Sequence, residues 1–191
     1  MSREARLFDA EREAAEAMIR LYKCCETAKE RAGREAAGGT RREPSFGAIA
    51  VRVADLAQLV AQIGVFQAAA FMLSKSSDEL DHIGALLELL SRDDGCSEKA
   101  VETLLRQGGG EGKGYPIALA LLLHGLRRLA EEGLVPLEEC RFDGGVDPAS
   151  IARCIKSLRG EPGRAVLVER LLTPYLTVCK RFADAFFKRE R

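Results

Sequence analysis

Two histidines, His82 and His124, are the whole imidazole inventory of this 191-residue chain, and their surroundings limit the chemistry they could support. A helical zinc site of the His-Glu-x-x-His kind needs its ligands one turn apart, and a structural zinc site needs Cys or His at short, fixed spacings. Here the histidines fall in separate segments, and none of the six cysteines (24, 25, 96, 140, 154 and 179) forms a Cys-x-x-Cys pair. No Cys–His or Ser–His pair is indicated by spacing either, and nucleophile activation needs the two side chains within hydrogen-bond reach. His124, beside Leu123 and Leu126, is expected to be a satisfied core or interface histidine; His82, after Asp81, is expected at the surface.

The run Gly108-Gly109-Gly110-Glu111-Gly112-Lys113-Gly114 contains a Gly-Lys step and invites comparison with phosphate-binding loops. That loop needs a Gly five residues before the Gly-Lys and a Ser or Thr after it. Gln107 and Gly114 stand at those places and no strand precedes them, so the run is read as a flexible linker. Neighbouring carboxylates, Asp93-Asp94, Glu131-Glu132 and Glu138-Glu139, point apart on a helix or turn and are read as solvated, not as a two-metal site. The expectation is a non-enzyme with no catalytic residue, no metal and no cofactor.

The basic residues are more informative. Residues 1–75 carry 12 Lys and Arg against 10 Asp and Glu, residues 76–149 carry 7 against 15, and residues 150–191 carry 10 against 4. A net charge of zero thus hides an acidic middle and a basic C-terminal end. Arg153, Lys156 and Arg159 recur every three residues, and Lys180-Arg181 and Lys188-Arg189 extend the pattern. Such a face suits sequence-independent, salt-sensitive contacts to phosphates. With no Trp and three Tyr, stacking of bases on aromatic rings is not expected to be the recognition mode.

The elements that carry these residues all repeat near 3.6 residues, and the fold class is predicted all-α: a compact bundle of about six to seven helices with an N-terminal amphipathic helix. Seven segments are read, at about Arg3–Arg31, Ile49–Ser74, Asp78–Arg92, Ser97–Gln107, Pro116–Gly133, a short helix starting at Pro148, and Arg164–Lys188. Gly64 inside the second predicts a kink or a close approach between helices, and Pro174 a kink in the last. The Gly- and Pro-containing stretch Gly38 to Pro44 separates residues 1–43, a helix and loop that could be a partner-binding arm, from a helical core domain at 44–191. The N-terminus lacks the apolar stretch of a signal peptide and no window reaches the roughly 20 apolar residues of a membrane span. A cytoplasmic protein with reduced cysteines and no membrane contact is expected.

The run from Arg52 through Gly64 to Ala70-Phe71-Met72-Leu73-Ser74-Lys75 resembles the principal helix of the small subunit of Cmr-type (type III-B) CRISPR RNA-guided effector complexes. That helix has an Asn-Gly-Leu and an Ala-Phe-Leu-Leu-Ser-Lys ending; the Asn is Ile63 here, and an early Pro often found in the family is absent. Tyr175-Leu176-Thr177-Val178-Cys179-Lys180-Arg181-Phe182-Ala183 is similar to the family's closing Leu-Lys-Arg-Phe-Ala helix. The two blocks cover about a fifth of the chain. The resemblance implies a non-catalytic α-helical subunit that self-associates along a filament with other subunits of the Cmr effector complex and lines the path of guide RNA and target RNA. Lys75, Lys180 and Arg181 enter the candidate RNA-binding set through these motifs; Arg52, Arg153, Lys156 and Arg159 enter through charge clustering. The alternative is a helical protein–protein adaptor with no nucleic-acid contact, its acidic middle facing a basic partner.

Overall fold

A computed structural model describes residues 9–36, 44–92, 95–108, 113–161 and 163–188, and all the regular structure among them is helical. The most apolar segment forms α6 (Tyr115–Glu131), which begins with Pro116 in its first turn, where the missing N–H costs nothing. Every residue from Pro116 to Leu126 is buried, and α6 packs against α1, α2, α3, α4 and α8. Around it lie α1 (Ala10–Ala36), α2 (Gly47–Ile63), α3 (Val65–Lys75), α4 (Ile83–Ser91), α5 (Glu98–Gln107), α7 (Pro148–Ser157) and α8 (Arg164–Phe187). Short 3-10 turns, Ser77–His82 and Glu138–Cys140, connect α3 to α4 and precede α7. Helix α8 comes close to α6 at Gly125, where an added methyl group would lie 2.7 Å from Leu172 Cδ2 and 3.3 Å from the Tyr175 ring.

Among the described residues eight α-helices stand where six or seven were expected, because the segment Ile49–Ser74 divides at Gly64. Gly64 has φ 86° and ψ 161°, a conformation that essentially only glycine adopts without strain. Its N–H still donates to Val60 O at 3.1 Å, closing α2, while Val65 N–H donates to the Glu169 carboxylate of α8 at 2.9 Å. A side chain 104 residues away thus satisfies a donor at the start of α3. The predicted kink is therefore a complete break. At Pro174, by contrast, α8 continues as one helix, with the proline on its exposed side.

Helix α1 is not an arm packed away from the rest. Ala14, Ala17, Met18, Leu21, Cys24, Cys25 and Ala28 form its buried stripe within the shared core, and Tyr22 stacks on Phe186 with ring centroids 4.4 Å apart. The expected boundary near residue 43 lies in 37–43, outside the described residues, but the helix before it belongs to the same core as α8. The reading of six reduced cysteines is also corrected. Cys24 of α1 is disulfide-bonded to Cys96 before α5, and Cys140 to Cys154 of α7, with Cα–Cα distances of 5.3 and 4.7 Å. These pairings come from packing, which places residues 72 and 14 apart in sequence side by side. Cys25 and Cys179 are free and buried.

Arginines finish several helices. Arg20 donates to Leu90 O near the end of α4 at 2.8 Å, Arg141 to Ala130 O near the end of α6 at 3.2 Å, and Arg164 to Ser157 O at the end of α7 at 3.1 Å. Each adds a donor to a carbonyl in the last turn of a helix, where the helix dipole also favours a cation; Ala130 O and Ser157 O accept from the N–H of Gly133 and Gly160 as well. Gln107, buried at the end of α5, bonds to Glu79 and accepts from Gly114 N–H at 3.1 Å, while Lys113 pairs with Glu79 at 3.3 Å. The two ends of the glycine-rich run are therefore held together; residues 109–112 lie outside the described residues.

The Gly64 junction generates a direct stability test. A methyl group there would sit 2.9 Å from Glu169 Oε1, and any side chain would be forced into a strained backbone region. Gly64→Ala is expected to lower unfolding free energy by about 1–3 kcal/mol, measured by urea denaturation. A variant as stable as the parent would show that the chain can pass this point as continuous helix.

Candidate nucleic-acid interface

Helix α7 is fixed before it can present anything. Asp147 accepts from Ser150 N–H at 2.6 Å, and the Ser150 side chain closes the reciprocal capping box. Those same hydrogen bonds hold the exposed Asp147 carboxyl below its ordinary range. Pro148 occupies the first turn and the Cys140–Cys154 bond ties the helix to the preceding 3-10 turn. Ile151, Cys154, Ile155 and Leu158 face the core, which leaves Arg153, Lys156 and Arg159 exposed.

These three are not equivalent. Arg153 Nε lies 3.3 Å from Glu139, an exposed pair of the kind worth at most about 1 kcal/mol, so it remains available to a stronger anion. The Arg159 guanidinium lies over the Phe66 ring of α3 at 5.0 Å, joining the C-terminal turn of α7 to α3. Lys156 is exposed with no ion pair among the described residues. On α3, Lys75 is exposed, its ammonium 5.8 Å from the Phe71 ring.

Lys180 and Arg181 are exposed on α8. Stepping back from Lys180 by three and four residues, Thr177, Thr173 and Arg170 follow on the same exposed stripe. Arg170 is a cation that charge clustering passed over, because it stands alone in sequence; the helical spacing from Lys180 was the signal that could have found it. Arg170 and Lys180 are separated by about 15 Å along the axis, from a rise of about 1.5 Å per residue.

Arg52 is placed differently. Its Nη1 bonds to Asp55 at 2.8 Å, its guanidinium covers the Tyr115 ring at 4.3 Å, and its Nε is buried without a partner. It is a half-buried, stacked cation on α2, apart from the open lysines of α7 and α8. The seven candidates thus divide into Arg52 and Lys75 beside aromatic rings at the α2–α3–α6 corner, Arg153, Lys156 and Arg159 on α7, and Lys180 and Arg181 on α8.

Several groups of types able to do bond-making chemistry are engaged within the fold. A polar cleft of about 600 Å³ lies between α1, α4 and α6, and part of its charge is paired: Arg128 with Glu13 at 3.0 Å and with Glu131 at 2.7 Å, Arg127 with Glu131 at 2.7 Å, and Arg20 with Glu16 at 3.3 Å; Asp81, Glu88, Arg92, Lys99 and Asp143 also line it. His124 borders this cleft, is 1% exposed, and shares a 2.9 Å hydrogen bond between its Nδ1 and the Tyr175 hydroxyl. Burial, reinforced by Arg128, Arg20 and Arg127, pushes the imidazole down to about 3. Burial pushes the Tyr175 hydroxyl well above its ordinary range and the neighbouring Cys179 thiol up to about 12, far from the thiolate a nucleophile requires. His82 is half-buried, its Nε2 3.4 Å from Arg106. Among the described residues no cluster of three or more His, Cys, Asp or Glu side chains could hold a metal ion, and no helix is long and apolar enough to cross a membrane.

Compared with family models, with curated proteins and with solved structures, the chain finds no match in any of the three. What it does therefore has to be argued from its own residues.

The neutral imidazole makes a pH prediction. Folded His124 stays unprotonated down to about 3, whereas the unfolded chain takes up that proton at about 6.5. Below about pH 6.5 protons bind the unfolded state preferentially, so stability falls with falling pH by up to about 1.4 kcal/mol per unit from this residue. His124→Gln is expected to flatten the dependence of the urea midpoint between about pH 6.5 and about pH 5. An unchanged slope would mean that the imidazole titrates as if in water.

Proposed function

We propose that this chain is a non-catalytic RNA-binding subunit of the type III-B (Cmr) CRISPR effector class, lying along the guide RNA and target RNA and joining neighbouring subunits. The observation that carries this reading is the set of exposed cations on α7 and α8, where Lys156, Lys180, Arg181 and Arg170 have no ion pair among the described residues; Lys23, Arg92 and Lys99 are unpaired as well, but Arg20, Arg128 and Arg141 are engaged by helix ends and carboxylates. The sequence resemblance supports it too: its two blocks fall on α2–α3 and on α8, and both carry exposed cations. The burial of His124, Tyr175 and Cys179 in one hydrogen-bonded group is in keeping with a binding rather than a catalytic role. A cytoplasmic setting, where disulfides such as Cys24–Cys96 and Cys140–Cys154 are rare, belongs to the same proposal.

A protein-only adaptor is the second reading, and a specific feature favours it. Ile63, Val166 and Leu167 are 45%, 60% and 44% exposed and cluster where the end of α2 meets the start of α8. In the first reading that apolar edge meets another subunit of the complex; in the second it is the whole of the function.

Salt dependence separates them. Replacing Arg153, Lys156 and Arg159 together by Glu is expected to weaken RNA binding uniformly across sequences and to lower the log–log salt slope by roughly 0.7–0.9 for each lost contact. Exposed substitutions shift stability by only about 0.5 kcal/mol each, so helicity and thermal midpoint measured alongside should hold. A folded triple variant with unchanged affinity and slope would remove α7 from the RNA path and favour the adaptor.

A further inference from the structure

The scarcity of aromatic residues argued against base stacking, but the fold gathers two of them at one surface recess beside two candidate cations. On α2, Asp55, Gln58, Leu59 and Gln62 follow one another at spacings of three, one and three residues and so share a face. Across from them stand Phe71 of α3 and Tyr115 at the start of α6, and together the six line a recess of about 240 Å³. The break at Gly64 makes this possible, because it turns α3 away from the line of α2.

The chemistry of the recess is specific. Phe71 and Tyr115 meet edge to face, with centroids 6.1 Å apart and planes at 71°, and form a corner of two ring surfaces. Phe71 is 37% exposed, unusual for a phenylalanine with a core available to it. The exposed amides of Gln58 and Gln62 each offer a donor and an acceptor, the combination that a base edge presents in return. Arg52, stacked on Tyr115 at 4.3 Å, and Lys75, 5.8 Å from Phe71, flank the rings with positive charge. The volume lies below the roughly 300–1,000 Å³ of pockets for drug-sized ligands, which suits a single ring system.

We infer that this recess is a subsite for one unstacked nucleobase of the RNA, held against Phe71 and Tyr115 with its edge toward Gln58 and Gln62 and its phosphates toward Arg52 and Lys75. This rests on the RNA-binding reading above and adds a base contact to a surface otherwise limited to phosphates. An apolar side chain of a partner protein would fill the ring corner but would leave the two amides and Lys75 without polar partners, with Arg52 held only by Asp55, so the base is the better fit.

The full-length chain is titrated with two labelled probes of equal length, an oligouridylate and an abasic ribose-phosphate oligomer, and binding is read by anisotropy across a salt series. Phe71→Ala is expected to weaken oligouridylate binding about tenfold, in the range found for one stacked base. It should leave the abasic oligomer and the salt slope unchanged, and Phe71→Tyr should restore affinity. Circular dichroism of each variant confirms that helicity is retained. Equal loss on both probes, or no loss on either, would overturn the base subsite while leaving the phosphate-binding reading in place. Failure of the parent chain to bind either probe would overturn both.

Discussion

The amide of Val65 has no carbonyl in its own helix to bond to, because Gly64 turns the backbone out of the helical ladder, and the carboxylate of Glu169 takes that hydrogen at 2.9 Å. A buried donor left unpaired costs about 1–3 kcal/mol, so this contact decides whether the α2–α3 break can exist. It also locks the first turns of α8 beside the end of α2. From that junction α3 leads toward α6 and α7, with Ala68, Ala69 and Met72 facing the core, Phe66 under Arg159, and Phe71 against Tyr115. Were α2 to run on as one rod, neither aromatic contact would form, and the corner between α2, α3 and α6 would be a plain helix face.

A second division runs through the cations. Lysines and arginines equal acidic residues in number, yet they do different work by position. Arg20, Arg141 and Arg164 end helices; Arg127 and Arg128 neutralise the carboxylates of α1 and α6 across the polar cleft. These are internal, and their removal would be felt as stability. Lys156, Arg170, Lys180 and Arg181 lie outside this set, on the surfaces of α7 and α8. A net charge of zero is thus compatible with a polyanion-binding face, because the acidic residues of the middle segment are partly absorbed by arginines that hold the fold together.

Much of the helical architecture could be read from periodicity: the apolar run around Leu119, Leu122 and Leu126 is buried, the linker after Gln107 separates two helices, and His124 is a core histidine bonded to Tyr175. What periodicity could not supply is partnership across the chain. Gly64 announced a disturbance, but whether it would bend or break the helix depended on Glu169, 104 residues away. The stripe of α1 was visible, but its burial under α8 was not, since an amphipathic helix reads the same whether it meets its own core or another protein. The cysteine pairs were hidden for the same reason. On the candidate surface, the α7 and α8 cations were legible as clusters; Arg170 was missed for lack of sequence neighbours, and the pairing of Arg153 with Glu139 needed the 3-10 turn that brings them together. The recess at Phe71 and Tyr115 joins residues 44 positions apart and leaves no trace in local composition.

The central claim is that this chain works inside an RNA-guided assembly, and the most direct measurement is to co-express it with the products of its neighbouring genes, purify the resulting complex through this chain, and sequence the RNA that stays bound. The account predicts a complex holding small RNAs with uniform, repeat-derived ends. A stable protein complex that carries no RNA, or carries fragments with random ends, would contradict it.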